Sequence, residues 1–136
     1  MLIRTALAVA ASFTALNAQA ADLSRIAAAF GNTVMSVYPD GRTQKIWLHP
    51  DGNWDGVGRS NQALAGHWTL KDDRVCLRQT KPPTLPFSYC AAFPTDPHIG
   101  ITWTGKDFAG APIKLTVLKG MAEAREAQGP TQPPPR

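Results

Sequence analysis

The chain is poor in reactive side chains: it has two cysteines, three histidines and no Gly-x-Ser-x-Gly elbow. Without that elbow, and with both cysteines better explained as a pair, neither familiar activated nucleophile is on offer. The cysteines are too far apart for a CxxC motif and have no histidine beside them, which argues against a redox or metal site. No Lys/Arg cluster interleaves with aromatic residues, so nucleic acid is not expected. Apart from residues 5–16, no apolar run is prominent, and that one is too short to span a bilayer.

What the sequence does have is a stretch from Gly66 to Ala92 that reads as a stapled β-hairpin. The period-2 pattern of a half-buried antiparallel strand puts Val75 and Leu77 on one face and Cys76 and Arg78 on the other. In the second arm Phe87, Tyr89 and Ala91 share a face, against Ser88 and Cys90. Placing Cys76 opposite Cys90 sets Leu77 against Tyr89, Arg78 against Ser88 and Gln79 against Phe87. A one-residue slip would turn the aromatic residues outward and the charged ones inward. A structural disulfide on the outer face of the sheet is therefore expected.

Residues 1–20 read as a secretory signal: Arg4 at the start, the apolar run Thr5 to Leu16, then Ala18-Gln19-Ala20 as a small-residue cleavage site. No cysteine follows that site to carry a lipid anchor. The expected product is a soluble exported protein, periplasmic or secreted, in a compartment where a disulfide persists. Cleavage would remove one of the 14 basic residues and leave an excess of about three over the 10 acidic ones. That excess is scattered, which bears on solubility and encounter more than on function.

After the signal, Asp22 to Phe30 carries Leu23, Ile26, Ala27 and Phe30 at helical spacing, with Asp22 as a cap and Gly31 as a stop, predicting a short N-terminal helix over 22–30. The stripe is brief and carries Arg25, so stable membrane insertion is not expected. Strands are then predicted at 33–38, 43–48, 54–59 and 66–70, in the two hairpin arms, and at 99–104 and 113–118. Pro39-Asp40-Gly41 and Pro50-Asp51-Gly52 supply turn chemistry between the first three. Gly56 and Gly58 would weaken the third strand unless a bend or a close neighbour explains them. The fold class expected is all-β: an antiparallel up-and-down meander of about eight strands closing into a small barrel domain over residues 21–119. Residues 120–136 end in a Pro-rich run that is expected to be a flexible tail.

This layout resembles the lipocalin-like, or calycin, β-barrels, in particular short exported bacterial domains of that shape. The resemblance rests on Gly66-His67-Trp68, the Lys71-Asp72-Asp73 turn and the Cys76 and Cys90 pair, and covers residues 32–118. It implies a barrel with a propensity to bind something at its mouth. In lipocalins the Gly-x-Trp lies on the first strand, whereas here it falls on the fourth. The chain is also shorter than a typical lipocalin, which argues against a wide cavity.

Among candidate sites, Asp51 to Gly56 matches the first half of an EF-hand loop, but position 12 is Gln62 and no helices flank the run, so a turn is expected instead. His49, His67 and His98 lie at spacings that help no metal. The Asp residues at 40, 51, 55, 72, 73, 96 and 107 sit mostly at turns, and pairing any two for acid–base work would be arbitrary. No catalytic residue, metal or cofactor is expected. Trp68, Phe87, Tyr89 and Trp103 face the apolar side and are expected in the core. Trp47 and Trp54 are out of phase with their neighbours and, if exposed together, would form a platform for a ring-shaped ligand or a partner.

The sequence thus points to a monomeric, non-enzymatic exported barrel binding a small apolar ligand or an envelope protein. The second reading is an inhibitor-like module docking through its loops; an enzyme on the barrel comes third. A hollow lumen would favour the first reading, and a filled one with exposed aromatics the second.

Overall fold

The computed structural model describes residues 23–84 and 87–121. Residues 1–22, 85–86 and 122–136, which include the expected signal at 1–20, Asp22 and most of the expected tail at 120–136, lie outside the described residues. Eight antiparallel strands follow one another in meander order: β1 Thr33–Val37, β2 Thr43–Leu48, β3 Asn53–Val57, β4 Ala63–Lys71, β5 Arg74–Lys81, β6 Tyr89–Ala92, β7 Thr102–Lys106 and β8 Pro112–Leu118. The sheet order β6-β5-β4-β3-β2-β1-β8-β7 wraps the sheet round on itself, giving a nearly closed barrel of the lipocalin-like kind.

Turn chemistry sets the first hairpins as the sequence predicts. Gly41 N donates to Tyr38 O and Gly52 N to His49 O. Asp40 and Asp51 each accept a backbone N–H two residues on, from Arg42 and Asn53. These bonds hold both carboxyls below the ordinary carboxylate range. The half EF-hand is therefore a turn, with Asp51 committed to Asn53 through both its backbone and side-chain N–H groups. Within β3, a Cβ on Gly56 would run into the carbonyl of Lys45 across the ladder, which explains a glycine inside a strand.

The stapled hairpin has the expected register. Cys76 opposes Cys90 and Leu77 opposes Tyr89, and the two cysteines are bonded. The pairing does not continue to Phe87, because β6 begins only at Tyr89. β6 and β7, the two ends of the sheet, meet without a backbone ladder. Side chains close this seam: Tyr89 Oη donates to Lys106 O, and Phe93 packs edge-on against Trp103 with ring centroids 5.3 Å apart.

The N-terminal helix is shorter and tighter than its pattern suggests. Leu23 and Ser24 are α-helical, the chain turns at Arg25 and Ile26, and Ala27–Ala29 forms a single 3₁₀ turn. Ile26 and Ala29 are fully buried while Leu23 is 40% exposed, so the buried spacing is three residues rather than an α-helical stripe. Packing decides this. Ile26, Ala29 and Phe30 close the end of the barrel where β1 begins and β4 ends, with Phe30 against Trp68 and Arg25 Nη1 donating to Asp72 O in the β4–β5 turn. Trp68 is fixed from the same end by its Nε1–H, which donates to His49 O at 2.8 Å.

The seventh strand is displaced toward the other end of the barrel. Ile99 is 49% exposed and lies in a turn closed by Ile101 N donating to His98 O; the strand starts at Thr102.

Candidate ligand cavity

One end of the barrel is plugged and the other is open. The open end carries the β1–β2, β3–β4, β5–β6 and β7–β8 connections, and behind it lies a cavity of about 1040 Å³. This is the size of a pocket that encloses a drug-sized molecule, and wider than chain length alone suggests. The strand alternation explains what lines it, because every second residue points inward.

The lining is mainly apolar, with Val34, Leu48, Trp54, Val75, Trp103 and Leu115 among its walls; Ser36, Gln44 and Gln79 are polar members, and Tyr38, Arg59 and Asp107 also line it. Ser36 and Gln44 are direct partners across β1 and β2, and Gln79 reaches the same cavity from β5. Among the described residues, Ser36 and Gln44 side chains make no hydrogen bond, while Gln79 Nε2 donates to Pro82 O.

The mouth combines aromatic and charged groups. Phe87 and Phe108 line it and are 60% and 74% exposed. The Arg59 guanidinium lies over the Tyr38 ring, 4.1 Å from its centroid, a cation–π contact. Desolvation raises the Tyr38 pKa, Arg59 opposes the rise, and Asp107 and Asp40 add to it. Tyr89 is likewise raised, first by desolvation and then by Tyr38 and Asp107. Both phenols therefore stay neutral donors beyond the ordinary tyrosine range.

A folded-state pKa above the unfolded one means stability that is complete below about pH 10 and lost as pH rises through the folded value. Urea unfolding midpoints should accordingly fall on the alkaline side of pH 10. The double substitution Tyr38→Phe/Tyr89→Phe should flatten that decline; an equally steep decline in the variant would count against the assignment.

The aromatic residues singled out in the sequence divide between several places. Trp68 is core, Trp103 and Tyr89 are half-buried cavity wall, and Phe87 is not core but rim. Trp47 and Trp54 form no exposed platform: they are 8% and 4% exposed and lie on opposite faces of the sheet. Trp54 points into the cavity. Trp47, one residue out of phase with inward-facing Leu48, sits on the outside, where its Nε1–H donates to Thr33 Oγ1 at 2.9 Å. Thr33 Oγ1 in turn donates to Gly120 O, so the chain leaving β8 is tied beside that indole. Trp103 Nε1 is buried with no hydrogen-bond partner among the described residues.

The histidines lie elsewhere. His49 Nε2 contacts Asp55 Oδ1 at 2.6 Å, His67 Nδ1 contacts Asn53 Oδ1, and His98 Nδ1 donates to Asp96 O. No group of three or more metal-ligating side chains is found among the described residues. Tyr38, Arg59 and Phe108 were not anticipated as site residues. The one legible signal was polar residues, Ser36, Gln44 and Gln79, in the inward phase of otherwise apolar strands.

Fold and cavity together define a class: a plugged, nearly closed eight-stranded antiparallel barrel with a hollow lumen open at one end. Comparison with known proteins finds no matching family model and no significant match to a curated protein or a solved structure.

Proposed function

We propose that this protein binds an elongated, mainly apolar small molecule in its lumen, as a non-enzymatic carrier or sensor outside the cytoplasm. The hollow interior, mainly apolar with a few polar groups among its walls, carries this reading. The Cys76–Cys90 disulfide favours an oxidising compartment, and the signal-like residues 1–20 fit a periplasmic or secreted location.

Titration with a neutral, polarity-sensitive dye such as N-phenylnaphthylamine tests it. Dye emission should rise and saturate at one dye per protein. Ala91 lines the lumen from the edge strand β6, so Ala91→Trp should place an indole in the ligand's space. Dye affinity is expected to fall about ten-fold or more with the thermal midpoint little changed, since added volume in a void meets few neighbours. Unchanged affinity in a folded Ala91→Trp protein would count against lumen binding.

The exposure of Phe87 and Phe108 supports a second reading, in which the rim docks a partner protein in the cell envelope. Phe87→Ser/Phe108→Ser separates the two: a lumen binder keeps its dye affinity within about two-fold, since exposed rim groups contribute little.

A further inference from the structure

The lumen's occupant is defined further by Arg59, the one cationic side chain among the described residues that line the cavity. Asp40 is paired with Arg42 at 2.7 Å. Asp107 accepts from two backbone donors, Ala109 N and Ala111 N, both on Oδ1, which fold the β7–β8 turn, and its charge still acts on Tyr38. Arg59 has no hydrogen bond or ion pair among the described residues. Among those residues its specific contact is the Tyr38 ring, 4.1 Å from Cζ to the centroid, and no hydrogen bond occupies the N–H edge of the guanidinium. That edge is the part of arginine that matches a carboxylate or phosphate with two parallel bonds.

Position strengthens the case. Arg59 follows the end of β3, at the open end of the barrel, and itself lines the cavity. The Tyr38 hydroxyl, also cavity-lining, makes no hydrogen bond among the described residues. Burial keeps it protonated, so it offers a second donor beside the guanidinium. A chain laid along the barrel axis would put its tail among Leu48, Trp54 and Leu115 and its head between these two groups.

Building on the lumen reading, we infer that the ligand is a single-chain amphiphile with an anionic head, a carboxylate or a phosphate monoester, seated on Arg59 and Tyr38. Displacement of the neutral dye by dodecanoate, dodecyl phosphate and dodecanol tests the head group at constant chain length. Both anions should compete about ten-fold more strongly than the alcohol, the scale of one charge-assisted bidentate contact at a partly open site. The ratio between the two anions tells which source of the charge the site prefers.

Arg59→Gln should remove most of the preference for anions while leaving dodecanol and dye affinity within about two-fold, with the thermal midpoint lowered by no more than a few degrees for the lost Tyr38 contact. Arg59→Lys should keep part of it, the charge without the fork. If dodecanol matches the anions on the unaltered protein, or if Arg59→Gln weakens alcohol and anions alike, the head-group assignment is overturned while the lumen reading stands. If the dye itself does not bind, the lumen reading fails and this inference fails with it.

Discussion

Removing the Cys76–Cys90 bond, by reduction or as Cys76→Ser/Cys90→Ser, is expected to cost about 3 kcal/mol of unfolding free energy. The bridge closes a loop of 14 residues in sequence separation, and restriction of the unfolded chain over a loop of this length contributes roughly that amount. For a domain of this size that is a large share of a total of about 5–15 kcal/mol. The barrel architecture adds a local consequence. β6 is short, pairs on one side only with β5, and meets β7 through side chains alone. The staple thus reinforces a four-pair ladder at the edge that closes the barrel. Backbone amides of Tyr89–Ala92 should lose hydrogen-exchange protection before the rest of the sheet, and dye affinity should fall with them. Denaturant titration with and without reductant measures the first effect. A change below about 0.5 kcal/mol would show that the seam side chains hold the barrel without the bridge.

Gly66→Ala is expected to be comparably damaging, although it adds one methyl group. β4 and β5 are out of simple register between Ala65 and Gly66, and this bulge brings the Arg78 carbonyl against Gly66. A Cβ there would collide with that backbone oxygen and would lie 2.8 Å from Trp54 Nε1. Neither neighbour can yield easily: the carbonyl belongs to β5, and the Trp54 indole is held by its bond to His67 O at 3.1 Å. The expected loss is about 3 kcal/mol, the upper part of the overpacking range, or roughly 10 °C or more in midpoint for a domain of this size. Thermal unfolding of the variant measures it. A midpoint within a few degrees of the unaltered protein would mean that the bulge relaxes around the methyl. The Gly-x-Trp of this chain therefore has a physical reason of its own: Gly66 admits the Trp54 indole and the β5 backbone, and Trp68 covers the plug.

Much of this architecture was legible in the sequence because it depends on nearest-neighbour rules. Alternation placed Val75, Leu77, Tyr89 and Ala91 inward, the cysteine pair fixed their register, and Pro-Asp-Gly turns separated β1, β2 and β3. The errors arise where distant contacts override local pattern. The stripe of residues 23–30 is helical by spacing, yet Ile26, Ala29 and Phe30 take the tighter winding that seats them on Trp68. Trp47 looked exposed because its phase is outward; it is buried because Thr33 and Gly120, the latter 87 residues from Thr33 in sequence, form a bonded cluster beside it. Phe87 shares the inward phase of Tyr89, but the ladder stops below it and leaves the ring on the rim. The cavity itself could not be read, because alternation gives the direction of a side chain and not the radius of the barrel it points into. Arg59 was assigned to a strand, whereas the chain turns at Gly58, with Gly58 N donating to Gln62 O, and delivers the guanidinium to the mouth.

The most direct test of the lumen account uses the four tryptophan indole N–H signals of the protein during titration with dodecanoate. A ligand inside the barrel should shift the signals of Trp54 and Trp103, which line the cavity, and leave that of Trp47, bonded to Thr33 on the outer face, in place. Shifts confined to the Phe87 and Phe108 rings, with Trp54 and Trp103 unmoved at saturation, would contradict binding in the lumen.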